Sequence, residues 1–273
     1  MKVLLVDVSS LFHRAYHALS FRMPDLVDSG GVPCVGTYGF FNTIFKIRAE
    51  FVKFDQVVWA IDCAGGSSTR KQIDPEYKAG RKQQSSTFYQ DLSNLKKYLS
   101  LTKVMPLGLN GYEADDIIAS SVRYMAENYS DKENLEVFIA SGDGDFELCL
   151  DWPLDIKLLK ISPLKILTKA DVLEKWNVDN LSDIPLLKAL IGDSSDNVPS
   201  IASKGKAYRL YKDPTFLKVN EQRILRNASL LNFKNDLDVV PRSPDFSPEN
   251  LEKIFTLMDS KSLLNRLKKG SLV

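Results

Sequence analysis

Val3-Leu4-Leu5-Val6-Asp7 is the stretch whose pattern settles the architecture. Four consecutive apolar residues without polar alternation mark a strand buried on both faces, as in a parallel sheet covered on each side by helices. The run stops abruptly at an acid. Val57-Val58-Trp59-Ala60-Ile61 repeats the pattern and ends in Asp62, and Leu135-Glu136-Val137-Phe138-Ile139-Ala140 does so before Asp143 and Asp145. Residues 104–109 read as another short strand, and residues 156–161 as an edge strand followed by a helix from Lys169. Phe88, Leu92, Leu95 and Leu99 recover helical spacing between strands. The pattern predicts an α/β fold with a mainly parallel sheet flanked by helices. Ligands of such sheets bind outside the carboxyl ends of the strands, so these terminal acids are expected to share one rim.

Outward from the strands, Gly111-Tyr112-Glu113-Ala114-Asp115-Asp116 puts three carboxylates at the start of an apolar-periodic run. Ala114, Ile117, Ile118, Val122 and Met125 fall on one side of a helix, with Glu113, Asp115 and Asp116 on the opposite half. One reading is a solvated helix start, each acid gaining about 0.3–1 kcal/mol from the helix dipole. The other is convergence with the strand-end acids. Carboxylates about 5.5 Å apart repel by about 3 kcal/mol at an effective dielectric of 20, so a convergent group requires a cation. Each strand-end Asp taken singly also suits a cap or turn. As a set, oxygen ligands without His or Cys select hard divalent ions, Mg²⁺ or Mn²⁺. Two such ions would stabilise both the attacking and the leaving oxygen of a phosphoryl displacement.

At 273 residues and 44% hydrophobic, the chain can bury a substantial core. Its formal charge of +1 hides a polarised distribution. Between residues 204 and 226 stand Lys204, Lys206, Arg209, Lys212, Lys218, Arg223 and Arg226 against only Asp213 and Glu221. Basic surface beside an acidic rim suits a polyanion, although solvated helix faces explain any one basic run equally. Cys34, Cys63 and Cys149 are odd in number and widely spaced, which points to free thiols in a reducing compartment. The apolar start is cut at Asp7, too early for a signal segment, and no run reaches a membrane-spanning length. A cytoplasmic protein without membrane contact is expected.

Two loops have unusual content. Residues 63–82 are poor in core residues and rich in base, with Arg70, Tyr77, Lys78, Arg81 and Lys82. Such a long connection is functional or mobile. Its cations suit the phosphates of a single strand, and Tyr77 suits base stacking. After an apolar helix over 184–191 comes Gly192-Asp193-Ser194-Ser195-Asp196-Asn197-Val198-Pro199. Asp193 and Asp196 there either shape a turn or add outer ligands for a metal and its waters. A Pro-rich crossing at Pro241, Pro244 and Pro248 leads to a final helix with a basic end.

These residues resemble the 5′-nuclease family, comprising the 5′-to-3′ exonuclease domain of bacterial DNA polymerase I and the stand-alone phage flap endonucleases. Val6-Asp7-Val8-Ser9-Ser10 with Arg14-Ala15-Tyr16-His17-Ala18 matches its opening motif, and Thr37-Tyr38-Gly39 the start of its next helix. Pro75-Glu76-Tyr77-Lys78-Ala79-Gly80-Arg81 resembles its arch motif. Gly111 to Asp116, Ser141-Gly142-Asp143-Gly144-Asp145 and Gly192 to Asn197 are similar to its acidic motifs, in the same order. Ser262-Leu263-Leu264-Asn265-Arg266-Leu267 is similar to its C-terminal helix.

The resemblance implies a PIN-like core over residues 1–180, including a helical arch segment at 64–100. It implies a helix-hairpin-helix type region over 181–273 that grips duplex. Asp7, Asp62, Glu113, Asp115, Asp116, Asp143, Asp145, Asp193 and Asp196 would be the metal-site carboxylates for two Mg²⁺ or Mn²⁺ ions. Asp7, Asp116 and Lys78 would be catalytic, with Lys78 reaching the scissile phosphate. Arg70, Tyr77, Lys78 and Arg81 would handle the 5′ strand, and Lys204, Lys206 and Arg209 the duplex. The implied activity is metal-dependent hydrolysis of 5′-flap, nicked or 5′-overhang DNA and of RNA primers in RNA–DNA hybrids, by a monomer in a bacterial or phage-infected cell. Coupling to synthesis implies a separate DNA polymerase.

Two departures stand out. Thr69 replaces the aromatic residue usual before the arch. The family's glycine-rich hairpin reads here Ser200-Ile201-Ala202-Ser203-Lys204-Gly205-Lys206, with Gly205 alone retained. Glycine lets backbone N–H groups approach a phosphate or monovalent cation, so duplex binding is expected to be weaker or more salt-sensitive. Two rivals stay open: a PIN-type ribonuclease, and a non-catalytic module that binds branched DNA.

Overall fold

The computed structural model describes residues 1–51, 54–63, 65–102, 106–243 and 247–269. Its centre is a five-stranded sheet in the order β2-β1-β3-β4-β5, with β1 Lys2–Asp7, β2 Gln56–Ala60, β3 Glu136–Ala140, β4 Asp155–Ile161 and β5 Leu164–Leu167. The first four strands run parallel, and β5 returns antiparallel. Residues 156–161 therefore form an inner strand, because β5 covers the side that the sequence left open. Leu107 adds one parallel bridge to Ala60 beyond β2. The remainder of the strand expected there includes Val104, which lies outside the described residues, as do Ala64 and Pro244.

The uninterrupted apolar strands are explained by two cores. Leu4 and Val6 face one side, packing with Trp59, Phe138, and Phe12, Phe40, Phe41 and Phe45 of α1 Val8–Leu19 and α2 Val35–Glu50. Val3 and Leu5 face the other, against Ile117, Ile118, Val122 and Met125 of α5 Ala114–Asn128. Between β2 and α5 the chain forms α3 Ser68–Ile73 and α4 Ser86–Ser100. Close approach of α1 and α2 depends on glycine: a Cβ on Gly36 would lie 2.5 Å from the Phe12 ring.

The helices beyond the sheet divide between cores. Val172 of α6 Lys169–Trp176, Leu187 and Leu190 of α7 Ile184–Ile191, and Ala207 of α8 Lys204–Leu210 make a third cluster. Phe216 of α9 Pro214–Val219 and Ile224 of α10 Glu221–Leu231 pack on it. The C-terminal pair, α11 Pro248–Leu257 and α12 Lys261–Lys268, instead joins the first core through Ile254, Phe255 and Leu263. The single final helix of the sequence reading is thus two helices, and they pack with α1 and α2. Among the described residues no helix is long and apolar enough to cross a membrane.

Candidate metal centre

Parallel register places the strand-end acids. Val6 pairs with Trp59 on one side and Ala140 on the other, so Asp7, Asp62 and Asp143 all emerge at one edge of the sheet. Asp7 caps α1, accepting from the Ser10 N–H at 2.9 Å, while its second oxygen accepts from the Ser141 hydroxyl at 2.8 Å. Burial, then the neighbouring Asp62 and Asp143, push its carboxyl up to about 7 despite those two donors. Asp62 accepts from the Ala114 N–H at 2.8 Å, at the start of α5. Asp143 accepts from the Asp145 N–H at 2.9 Å and begins a 3₁₀ turn over Gly144–Asp151.

The cluster at the start of α5 is not a solvated helix end. Asp116 is 0% exposed, and both its oxygens receive the Arg70 guanidinium at 2.8 Å. It also accepts from the Lys234 N–H at 2.8 Å. Glu113 receives the Lys78 ammonium at 2.5 Å, the Ser67 hydroxyl at 2.5 Å and the Arg70 guanidinium at 3.2 Å. Asp115 lies 3.6 Å from Arg70. Burial raises the Asp115 carboxyl well above its usual value, and like charge from Asp116 and Glu113 adds to this against the opposing Arg70. The reading of a helix face turned away from the core is therefore incomplete. Chain segments from α3 and from the region after α10 close over it as a second layer.

A third group joins the same region. Asp145 is bonded by the Lys188 ammonium; burial raises its carboxyl, Lys188 opposes this, and Asp143 and Asp193 add to it. Asp193 folds its own loop, accepting from the N–H and hydroxyl of Ser195 at 2.7 Å. Asp196 accepts from Arg81 at 2.5 Å and Tyr77 at 3.1 Å, with the Lys78 ammonium 3.8 Å away. Gly192 makes this turn feasible: its φ is +72°, and a Cβ there would meet the Val198 carbonyl at 2.5 Å.

The expected arch is folded onto these acids. Residues 68–73 are helical as α3, tight turns follow, and regular structure resumes only at α4. Arg70 and Tyr77 are each only 2% exposed, which corrects their expected place at a nucleic-acid surface. Buried carboxylates claim both groups, and Arg70 further donates to the carbonyl of Leu230 at 3.0 Å. Arg81 keeps 55% of its side chain exposed. Lys204, Lys206 and Arg209 are exposed on α8, across the turn from Asp193.

The nine carboxylates thus gather in three adjoining groups. Among the described residues, however, no three Asp, Glu, His or Cys side chains are close enough to enclose a cation. Arg70, Lys78, Arg81 and Lys188 hold the acids instead. The donor set still fits hard divalent ions, since it is all oxygen and Asp7 is buried beside Asp62 and Asp143 with no cation among the groups that shift it. Sequence reasoning missed Ser10, Ser141 and Lys188. Ser10 and Ser141 adjoin strand ends, where capping hydroxyls belong, but Lys188 had no signal beyond being a cation in an apolar helix.

Comparisons with known proteins show the family and the fold. Residues 2–177 match the family model for the 5′-3′ exonuclease, N-terminal resolvase-like domain. The chain is 34% identical to a 5′-3′ exonuclease of Aquifex aeolicus, covering 75% of this chain and 66% of that protein. It is 30% identical to a 5′-3′ exonuclease of Bacillus subtilis, over 84% of this chain and 75% of that one. Against DNA polymerase I of Caldicellulosiruptor bescii it is 28% identical over 98% of its length, but spans only 33% of that protein. In fold it is similar to the bacteriophage T5 D15 protein co-crystallised with metal ions, with a TM-score of 0.67, 18% identity and coverage of 100% of this chain and 98% of the other. The chain therefore belongs to the 5′-3′ exonuclease family, which its N-terminal resolvase-like domain defines.

Proposed function

We propose that the protein is a divalent-metal-dependent 5′-nuclease. Its substrates are 5′-flap, nicked or 5′-overhang DNA and RNA primers in RNA–DNA hybrids. The observation that carries the reading is Asp7 at the edge of parallel strands, where its burial, reinforced by the nearby Asp62 and Asp143, raises its carboxyl to about 7. A fold that concentrates acid at the usual ligand rim of an α/β sheet is suited to cations. The family membership and the relatives named exonuclease support the same activity.

Asp7, Asp62, Glu113, Asp115, Asp116, Asp143, Asp145, Asp193 and Asp196 would hold two Mg²⁺ or Mn²⁺ ions, directly or through water. Such ions supply activation of a water and charge stabilisation at the phosphate during in-line displacement. The chain's own cations do the rest. Lys78, now paired with Glu113, would turn its ammonium toward the scissile phosphate and offset charge there. Arg81 follows the 5′ strand, while Arg70 positions Asp116 without touching substrate. Duplex is held by Lys204, Lys206 and Arg209 on the α7–α8 hairpin. Residues 1–180 form the nuclease core with the arch at 64–100, and residues 181–273 the helical region that grips duplex, although α11 and α12 of that range pack on the first core. The protein acts in the cytoplasm as a monomer, with its work coupled to that of a DNA polymerase.

The test is cleavage of a 5′-labelled flap DNA with Mg²⁺ and with EDTA. Metal-dependent release of a flap-length product supports structure-specific endonuclease action, and release of mononucleotides supports exonuclease action. Asp143→Asn should keep flap binding and lose turnover. Flap binding without cleavage by the folded wild-type protein, in Mg²⁺ and in Mn²⁺, would overturn the reading in favour of a binding module.

A further inference from the structure

His13 and His17 are the two histidines of the chain, four residues apart on α1 and therefore on one face of the helix. Their ring centroids are 4.4 Å apart with planes tilted by 54°. Phe88 of α4 backs both rings, edge-on to His13 at 5.5 Å and stacked on His17 at 6.1 Å. Tyr16 lies edge-on to His17 at 5.6 Å. Both imidazoles are exposed to solvent, and among the described residues neither makes a hydrogen bond. The pair is thus held in place by apolar contacts while its nitrogens stay available.

We propose that His13 and His17 form a two-imidazole chelate for a borderline divalent transition ion, Zn²⁺, Ni²⁺ or Cu²⁺, on the exposed face of α1, with ligands distinct from the carboxylates of the rim. Metal–nitrogen bonds of about 2.0–2.1 Å put two nitrogens of one tetrahedral ion roughly 3.4 Å apart, which rings already this close reach by small side-chain rotations. Two histidines at i and i+4 are a spacing by which one helix face holds such an ion. The aromatic wall restricts both rings beforehand, so less freedom is lost on binding. Ligand softness separates the two centres: imidazole suits Zn²⁺, Ni²⁺ and Cu²⁺, whereas the carboxylate rim suits Mg²⁺ and Mn²⁺. Partial burial of the otherwise exposed ring, with His17 and Arg81 nearby, lowers the proton affinity of His13, which favours a neutral ring able to ligate. Arg81 is the cation that opposes binding, and its pairing with Asp196 moderates that opposition.

The experiment uses the full chain in excess Mg²⁺ with one equivalent of Cu²⁺ as probe, read by electron paramagnetic resonance and by titration. Hyperfine coupling to two imidazole nitrogens is expected. His13→Gln and His17→Gln should each weaken copper binding about 100-fold, the loss of a two-point attachment, and Asp143→Asn should not. Coupling to two imidazole nitrogens that persists in either histidine variant, or copper binding lost in Asp143→Asn, would overturn the proposal. In the unaltered chain, the imidazole resonances of His13 and His17 should broaden first under sub-stoichiometric Cu²⁺. Earlier broadening at any other residue would also overturn it.

Discussion

Lys78 stands in the left-handed backbone region, with φ +59°, a conformation that costs a non-glycine residue of order 1–3 kcal/mol. It is held there by its N–H on the Asp196 carbonyl at 2.9 Å and its ammonium on Glu113 at 2.5 Å. A lysine occupying an acid competes with any cation for that acid, and we expect two effects of Lys78→Met. Single-turnover flap cleavage should fall by about 10²-fold or more, as for loss of a charge-stabilising donor, and half-saturation with Mg²⁺ should move to lower concentration. An unchanged rate would remove Lys78 from the chemistry. Arg70 has a different part. Although burial alone would lower its proton affinity, Asp115, Asp116 and Glu113 together raise it, so it is a fixed cation. Arg70→Met leaves Asp115 and Asp116 without their counter-ion and should cost about 3–5 kcal/mol in urea unfolding, typical of breaking a buried ion pair from one side. Added Mg²⁺ should restore part of that loss, and a cost below about 1 kcal/mol would show that Asp116 finds another partner.

At the level of elements, two buried acids of the non-catalytic face hold the loop before α2 and α2 itself against α4. Asp91 of α4 accepts from the N–H groups of Gly36 and Thr37 at 2.6 and 3.1 Å, giving α2 the N-terminal cap that Cys34 does not supply. Asp28 accepts from the N–H groups of Gly30 and Val32, from Asn94 at 2.8 Å and from Tyr98 at 2.7 Å. Burial raises the Asp28 carboxyl, but these four donors outweigh it and hold the group below its usual value. A carboxyl depressed in the fold contributes stability that is complete above its unfolded pKa, about 3.9, and is lost as pH falls through the folded value. We therefore expect urea-unfolding stability to fall with acid below about pH 4. Asp28→Asn should flatten that limb while lowering stability at pH 7. An acid limb of unchanged steepness would show that other carboxyls carry it. Neither acid was legible in the sequence, since an Asp in a loop and another in an amphipathic helix look alike whether solvated or buried.

For the whole molecule, the acidic rim and the basic α8 lie on either side of the turn from Gly192 to Ser203. Replacing Lys204, Lys206 and Arg209 together by Ala should weaken duplex binding and reduce the slope of log Kd against log salt by about 2–3, close to 0.9 per lost phosphate contact. An unchanged slope would place the duplex elsewhere. The parallel sheet, the strand-end acids at one rim, the α5 helix and the family resemblance were all legible in the chain itself, because burial on two faces and helical periodicity are written into neighbouring residues. Partners distant in sequence were not. That β5 seals β4, that α11 and α12 return to α1 and α2, and that Arg70 and Tyr77 turn inward were decided by tertiary structure. A basic side chain in a core-poor loop reads as a surface contact. Only its position 2.8 Å from a fully buried carboxylate, 46 residues away, makes it an internal counter-ion.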